Sequence, residues 1–322
     1  MKELIISKAD AGQRLDKYLA KYLNEAPKSF IYKMLRKKNI TLNGKKAEGS
    51  QIIKESDCLR LFLSDDTISG FRKEAAKKVY TGIRPDILFE DDDILILNKP
   101  CGMLTQSDKS GDSSVADFLL DYLSDSKTEG YRPSPCHRLD RNTSGILICG
   151  KTISGHQKMS ALIKERDVAK HYLALVHGKI KDESLEVAFG HKDPAENKLT
   201  VSAKPKDGYA VLKTSYKKVE TNHDLSLAKV KLITGRSHQI RAHMAFLGHP
   251  LVGDMKYGSR SDFPENDRSF RIKYQLLHAY SLTFPNAENV PEILRGRCIK
   301  APLPSEYCEI LRRLGFEKYN NL

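Results

Sequence analysis

Two well-separated clusters hold the side chains best suited to chemistry. The first is His137-Arg138-Leu139-Asp140-Arg141-Asn142-Thr143-Ser144-Gly145. Asp140 stands between two arginines, ahead of turn-forming residues and an apolar run. That order predicts a loop at the edge of a sheet, where chemistry commonly sits. Guanidinium groups nearby favour the ionised carboxylate, a state suited to a nucleophile or general base. The same residues also allow a plainer reading, in which Asp140 only anchors a turn. The second cluster is Thr234-Gly235-Arg236-Ser237-His238-Gln239-Ile240-Arg241-Ala242-His243, leading into Gly248-His249-Pro250 and Gly253-Asp254. A strand ending at Thr234 and a helix starting near Ser237 put Gly235 and Arg236 at a tight junction. There Arg236 supplies a fixed cation, and Gln239 and Arg241 donate hydrogen bonds to phosphate or base edges. His238 and His243, at i and i+5, do not share a helical face. No acidic ligand lies between them, so no metal is expected.

A third pattern is a decoy. Gly145 to Thr152 matches the phosphate-loop template G-x-x-x-x-G-K-T letter for letter. Such a loop follows a strand and needs a permissive backbone to aim its N–H groups at phosphates. Here Ile146, Leu147, Ile148 and Cys149 are themselves the strand, so nucleotide hydrolysis is the weaker reading.

These clusters must be carried by strands with few helices between them. Strand-like runs fall at 86–90, 93–100, 146–151, 171–178, 209–216, 227–234 and 276–284, and helical stretches at 114–124, 154–165, 238–247 and 305–315. Many strands with short links predict an α+β domain, residues 85–322, built on a largely antiparallel mixed sheet with flanking helices. Residues 1–65 read as a separate small unit. Leu15, Tyr18, Leu19, Tyr22 and Leu23 form one buried helical face. A second helix follows Pro27, and Ile40 to Leu42 is a strand entering the Asn43-Gly44 turn. Residues 66–84 have no strong period and read as a linker.

Lysine and arginine number 54 against 41 acids, a net charge of +13. Such an excess fits a polyanionic partner, with counterion release driving association. A membrane surface is the weaker alternative: an anionic-membrane binder typically shows a basic amphipathic helix with large exposed apolar residues opposite, and the absence of tryptophan weakens that option slightly. Seven of the cations, Lys28, Lys33, Arg36, Lys37, Lys38, Lys45 and Lys46, cluster on the second helix and the hairpin with no acid among them. No apolar run approaches the roughly 18 residues that a membrane span needs, and the N-terminus lacks a signal peptide's features. A cytoplasmic protein is expected. The six cysteines form no C-x-x-C pair, so neither a disulfide framework nor a thiolate zinc site is expected.

The clusters also carry a resemblance. R-L-D-K-Y-L at 14–19, the K-S-F-I-Y-K-M-L-R-K-K helix and the I-T-L-N-G-K hairpin resemble the small αL-type RNA-binding domain of a small-subunit ribosomal protein and several RNA-modifying enzymes. H-R-L-D-R-N-T-S-G, K-H-Y-L-A-L-V-H-G at 170–178 and T-G-R-S-H-Q-I-R-A-H are similar to motifs of the RluA-type pseudouridine synthases. N-K-P-C-G-M at 98–103 and Leu277-His278-Ala279 extend the likeness over nearly the whole chain. Cys101, where small residues are commoner, and Ser237, in place of a frequent threonine, depart from the pattern.

The resemblance implies isomerisation of uridine to pseudouridine in structured RNA, in the branch that acts on large-subunit ribosomal RNA. It implies Asp140 as the catalytic carboxylate, Arg236 as the arginine paired with it, and Tyr172 as the ring packed on the target base. Arg138 would fill the space of a flipped uridine, Leu232 would form an apolar floor, and His137, Gln239 and Arg241 would meet the substrate. No cofactor, nucleotide or metal is required, and a monomer is expected. The route by which Asp140 acts, whether attack on C1′, elimination or addition to the ring, stays open. The competing reading is a catalytically silent ribosome assembly factor that only clamps ribosomal RNA.

Overall fold

The computed structural model describes residues 1–72, 79–124, 131–258 and 272–321. The first unit comprises β1 (Lys2–Ile5), α1 (Leu15–Tyr22), α2 (Lys28–Arg36), β2 (Ile40–Leu42), β3 (Lys45–Lys46), β4 (Cys58–Leu61) and α3 (Asp65–Phe71). Its strands run in the order β1-β4-β2-β3. Leu15, Tyr18 and Leu19 of α1 and Ile31, Met34 and Leu35 of α2 close over this sheet as one core. Asn43 and Gly44 have φ of 51° and 74°. Both angles are positive, as a two-residue turn matched to strand twist requires.

Helix α3 occupies the start of the expected linker. The Ser64 hydroxyl caps it, accepting from Thr67 N at 3.2 Å, and Asp65 and Asp66 sit in its first turn, where the helix dipole favours acids. Ile68 is buried in the first core and the Phe71 ring lies 4.6 Å from that of Phe30. The first unit therefore runs to Phe71. On the other side, Tyr80 is buried in the core of the second unit, and residues 73–78 of the expected linker 66–84 lie outside the described residues. With only Ile68 and Phe71 apolar, a helix this short and acidic carries no period to read.

The second unit adds β5 (Asp86–Glu90), β6 (Ile94–Lys99), α4 (Val115–Tyr122), β7 (Ser134–Pro135), β8 (Ser144–Gly150), α5 (Ile153–Glu165), β9 (Ala169–His177), β10 (Glu183–Asp193) and β11 (Lys198–Ser202). It continues with β12 (Ala210–Asn222), β13 (Leu225–Leu232), α6 (Gln239–Phe246), β14 (Leu277–Thr283), β15 (Cys298–Lys300) and α7 (Ser305–Arg313). One 11-stranded sheet runs β11-β10-β12-β13-β9-β14-β8-β6-β5, with β15 on β14 and β7 on β8. Among the described pairs of these strands, only β14 with β8 is parallel. The α+β class follows directly.

Helices α4 and α6 pack on one face, here called the front, burying Phe118, Leu119, Ile240 and Met244 against Leu147, Tyr172 and Val230. Helices α5 and α7 cover parts of the back, through Met159 and Leu162 and through Tyr307 and Leu311. Strand β8 is buried at all seven positions, which explains its unbroken apolar run. Its residues pair in register with β6, so the phosphate-loop letters spell a central strand. Lys151 is committed to Glu90 at 2.7 Å and to the Asp91 carbonyl at 2.6 Å. No helix among the described residues is long and apolar enough to cross a membrane.

Candidate active site

Asp140 lies in the loop between β7 and β8. Leu139 beside it is buried in the front core, and its backbone is held by Thr105, whose hydroxyl donates to Leu139 O at 2.8 Å. Thr143 N closes the turn onto Asp140 O at 3.0 Å. Lys99 clamps the next residue. Its ammonium, fully buried, donates to the carbonyls of Arg141, Met103 and Pro100 at 2.9, 2.8 and 3.0 Å, which uses its three N–H bonds. Burial lowers the lysine to about 8. Gly145, at φ 107°, permits β8 to run so close to β14 that a Cβ there would strike the Ala279 backbone.

The carboxylate of Asp140 points into the front cleft with its side chain 24% exposed. Its Oδ2 receives Arg241 Nη1 at 3.0 Å, and its Oδ1 stands 3.7 Å from His238 Nε2. Arg241 in turn holds Asp254 in a two-pronged pair, Nε to Oδ2 at 2.7 Å and Nη2 to Oδ1 at 2.8 Å. Burial opposes the charge on Arg241, but Asp254 and Asp140 outweigh it and hold the guanidinium above its ordinary value. His238 begins α6 in the left-handed region, φ 57°, a strained setting for a residue with a Cβ. Its Nδ1 is 3.0 Å from Tyr257 Oη.

Three expectations change here. The arginine expected to pair with Asp140 was Arg236, but the contact belongs to Arg241. Arg236 is exposed, and its hydrogen bonds among the described residues are made by its backbone: its N–H donates to Gln239 Oε1 at 3.1 Å and its carbonyl accepts from Gln239 N at 3.1 Å. Gln239, expected to meet substrate, is 1% exposed. Its Oε1 also accepts from Thr234 Oγ1 at 2.9 Å, and its Nε2 donates to Lys213 O and Thr214 Oγ1, both at 3.1 Å. With each hydrogen-bonding valence used, Gln239 fixes the strand-to-helix junction. Arg241, expected to meet phosphate or base, gives three of its five N–H groups to the protein's own carboxylates Asp140 and Asp254.

The cleft has a volume of about 960 Å³, and Asp140, Tyr172, Leu232, Leu277 and His137 line it. Cations from separate elements join them at its edge: Arg138, Lys170, Lys192, Arg236 and Lys256. Tyr172 is 7% exposed, and burial, then the charge of Asp140, pushes its phenol upward. It is therefore neutral at ordinary pH. His137 Nε2 accepts from Ile148 N at 3.1 Å and burial brings it down to about 3, so it too is neutral. Arg141 leaves Asp140 for Asp112 at 2.7 Å.

The seven cations of the first unit are all exposed, and none forms an ion pair among the described residues. Those on α2 lie opposite its buried Ile31, Met34 and Leu35. Lys99, Asp254, His238 and Tyr257 carried no assigned role in the sequence. A lysine flanked by Asn98 and Pro100 after an apolar strand, and an aspartate after Leu251-Val252-Gly253, are the signals that could have marked the first two. Among the described residues no group of three or more His, Cys, Asp or Glu is gathered as a metal site would be.

Comparison with known proteins follows the same division. Residues 13–58 match the S4 domain and residues 93–246 match the RNA pseudouridylate synthase family. The chain is 32% identical, over 100% of its length and 96% of the relative's, to the ribosomal large subunit pseudouridine synthase C of Pasteurella multocida. It is 31% identical to the protein so named in Haemophilus influenzae, over 99% of this chain and 96% of that one. An uncharacterized RNA pseudouridine synthase of Bacillus subtilis is 28% identical over 97% of both chains. The solved structure of human RNA pseudouridylate synthase domain containing 4 shares the fold, with TM-score 0.59 and 21% identity over 72% of this chain and 93% of that one. The chain belongs to the RNA pseudouridylate synthase family, with an S4 domain at its N-terminal end.

Proposed function

We propose that this enzyme converts specific uridines of large-subunit ribosomal RNA to pseudouridine by flipping the base into the front cleft, with Asp140 as the attacking carboxylate. One observation carries the reading: Asp140, charge-paired by Arg241 at 3.0 Å, faces a cation-rimmed cleft large enough for an extruded nucleotide. The names and full-length coverage of the Pasteurella and Haemophilus relatives support the choice of RNA.

In the reaction the N1–C1′ bond breaks, the uracil turns, and C5 bonds to C1′. N1 gains a proton and C5 loses one, so nothing is oxidised or hydrolysed overall. A base within folded RNA must first be unstacked, at about a few kcal/mol. Arg138, exposed at the cleft, fills the vacated stack. Tyr172 and Leu232 receive the extruded ring between them, where aromatic stacking offsets part of the cost. Arg241 holds the Asp140 carboxylate in orientation at 3.0 Å while Asp254 keeps Arg241 in place. Tyr172 is a poor base while Asp140 is charged beside it. Burial, the larger of the two causes that raise the phenol, persists when that charge is consumed, so Tyr172 stays protonated and can relay the C5 proton only by passing its own proton to another acceptor as it takes that one. The S4 unit, with its exposed lysines, holds the surrounding RNA structure.

Mapping pseudouridines in large-subunit ribosomal RNA from cells with and without the gene tests this. A site lost on deletion and restored by the wild-type gene, but not by Asp140→Asn, is expected. Full restoration by that variant would leave the assembly-factor reading in its place.

A further inference from the structure

Successive residues of a strand point to opposite faces. In β13, Ala228 and Val230 enter the front core and Leu232 lines the cleft, so Lys229 and Lys231 face the back. The register sets Lys229 opposite Lys217 and Lys231 opposite Ser215 of β12, and His171 of β9 opposite Lys231. Lys213, two positions before Ser215, shares that face. Lys229 and Lys300 lie 5.9 and 5.7 Å from the Tyr280 ring.

Helices α5 and α7 cover other parts of the back, while Lys213, Lys217, Lys231 and Lys300 are exposed and Lys229 is half-buried. None of Lys213, Lys217, Lys229, Lys231 and Lys300 makes an ion pair among the described residues. The acids nearby are few: Glu183 stands across from Lys217 on the β10 side, and Asp182 is taken by Lys218. Like charges placed directly opposite on adjacent strands, as Lys217 and Lys229 are, destabilise a sheet. Beneath them the buried Nδ1 of His171 has no hydrogen-bond partner. The array is repulsive in the free protein and becomes favourable when anions lie along it.

We propose that this back face is a second RNA-binding surface, which takes the phosphate backbone of a segment flanking the target uridine. It rests on the reading of the chain as an RNA enzyme and adds where the rest of the RNA goes. Lys231 adjoins Leu232 in sequence, so the back surface and the cleft floor share one strand. Three strand spacings of about 4.8 Å separate β13 from the β11 edge. Around that edge the β10–β11 hairpin and the residues after it supply Lys192 at the cleft, then Lys198, Lys204 and Lys206. A chain leaving the cleft round this edge meets these lysines first, then crosses the exposed Leu185 and Val187 of β10, which pair with Ser215 and Lys213, before it reaches the lysines of β12 and β13. RNA, not a membrane, fits a track that bends from one face of a sheet to the other.

The test replaces Lys213, Lys217, Lys229 and Lys231 together by Gln and measures RNA binding over a range of salt. Two probes are compared: deproteinised large-subunit ribosomal RNA, and a short single strand able to fill only the cleft. With the long RNA, each lost phosphate contact is expected to reduce the salt slope by about 0.7 to 0.9, and affinity at moderate salt to fall roughly tenfold or more. With the short strand neither should change, and an unchanged melting temperature would exclude misfolding. Equal loss on both probes, or no loss on either, would overturn the proposal. So would a change confined to the oligomeric state in sedimentation, which would assign the face to a second copy of the chain. Binding is read without catalysis, so a wild-type protein that formed no pseudouridine yet showed the slope change would refute the proposed function alone.

Discussion

Arg241 grips Asp140 and Asp254 at once, giving one N–H to Asp140 at 3.0 Å and two to Asp254 at 2.7 and 2.8 Å. Asp254, fully buried, thus acts on the cleft through a second residue. Asp254→Ala would leave a buried guanidinium with its main partner gone, which costs about 3–5 kcal/mol of stability. The Asp254→Asn variant keeps the shape and weakens the grip on Arg241. In the surviving folded enzyme kcat is expected to fall with KM nearly constant, since Asp254 does not reach the cleft. Chemical denaturation and steady-state kinetics measure the two effects. A variant that melts early but turns over normally would limit Asp254 to the fold.

Asp140→Asn retains the volume and one acceptor oxygen but loses the charge and the nucleophile. Tritium release from C5-labelled uridine RNA is expected to fall by more than about 10³-fold, the scale of removing a reacting group. RNA affinity should stay within a few-fold. Turnover near wild type would remove Asp140 from the reaction.

The element order was legible because the central strands are buried on both faces and read as unbroken apolar runs, as Ile146 to Cys149 do. Strands β10 and β11 were not, since Glu183, Glu186, Lys192 and Lys198 interrupt their apolar alternation. The site was legible as a neighbourhood but not as a set of contacts. Arg236 and Arg241 occupy one motif, and nothing in their spacing says which guanidinium turns inward. That choice is made by Asp254, a buried carboxylate beyond the motif, together with the Gln239 hydrogen bonds that turn the start of α6.

Lys99 links stability to pH in a direction opposite to most lysines. Its folded value of about 8 lies below the unfolded value near 10.4. Between the two the unfolded chain binds more protons, so the contribution of Lys99 to stability rises with pH there, by up to about 1.4 kcal/mol per unit. Below about 8 both states are protonated and the slope vanishes. The stability difference between wild type and Lys99→Met, followed by denaturant unfolding from pH 7 to 10.5, should show this rise. A flat difference would mean that the buried ammonium keeps its proton throughout.

Lys37 and Lys38, at the exposed end of α2, test the S4 surface. Changing both to Ala is expected to weaken binding to all structured RNAs and to lower the salt slope by roughly 0.7 to 0.9 per lost contact. Turnover at saturating RNA should hardly move. An unchanged slope would make these lysines a solvated face.

Arg138 and Tyr172 divide the work of flipping, and the division can be read from rescue. Arg138 is exposed beside the cleft and is assigned to the gap that the base leaves. If so, Arg138→Ala should recover when the target uridine is unpaired or mismatched, because extrusion then costs less. Tyr172 is buried at the floor and is assigned to the base after extrusion. Its removal should hurt paired and unpaired substrates alike, since the uracil must still be held while it turns. Single-turnover rates for both variants, on paired and unpaired forms of one mapped site, decide the matter. Equal rescue would mean that Arg138 is not the residue that fills the stack. Rescue of neither would point to Arg138 holding phosphate, and the gap would then fall to another exposed side chain at the cleft edge, with Arg236 the first to replace.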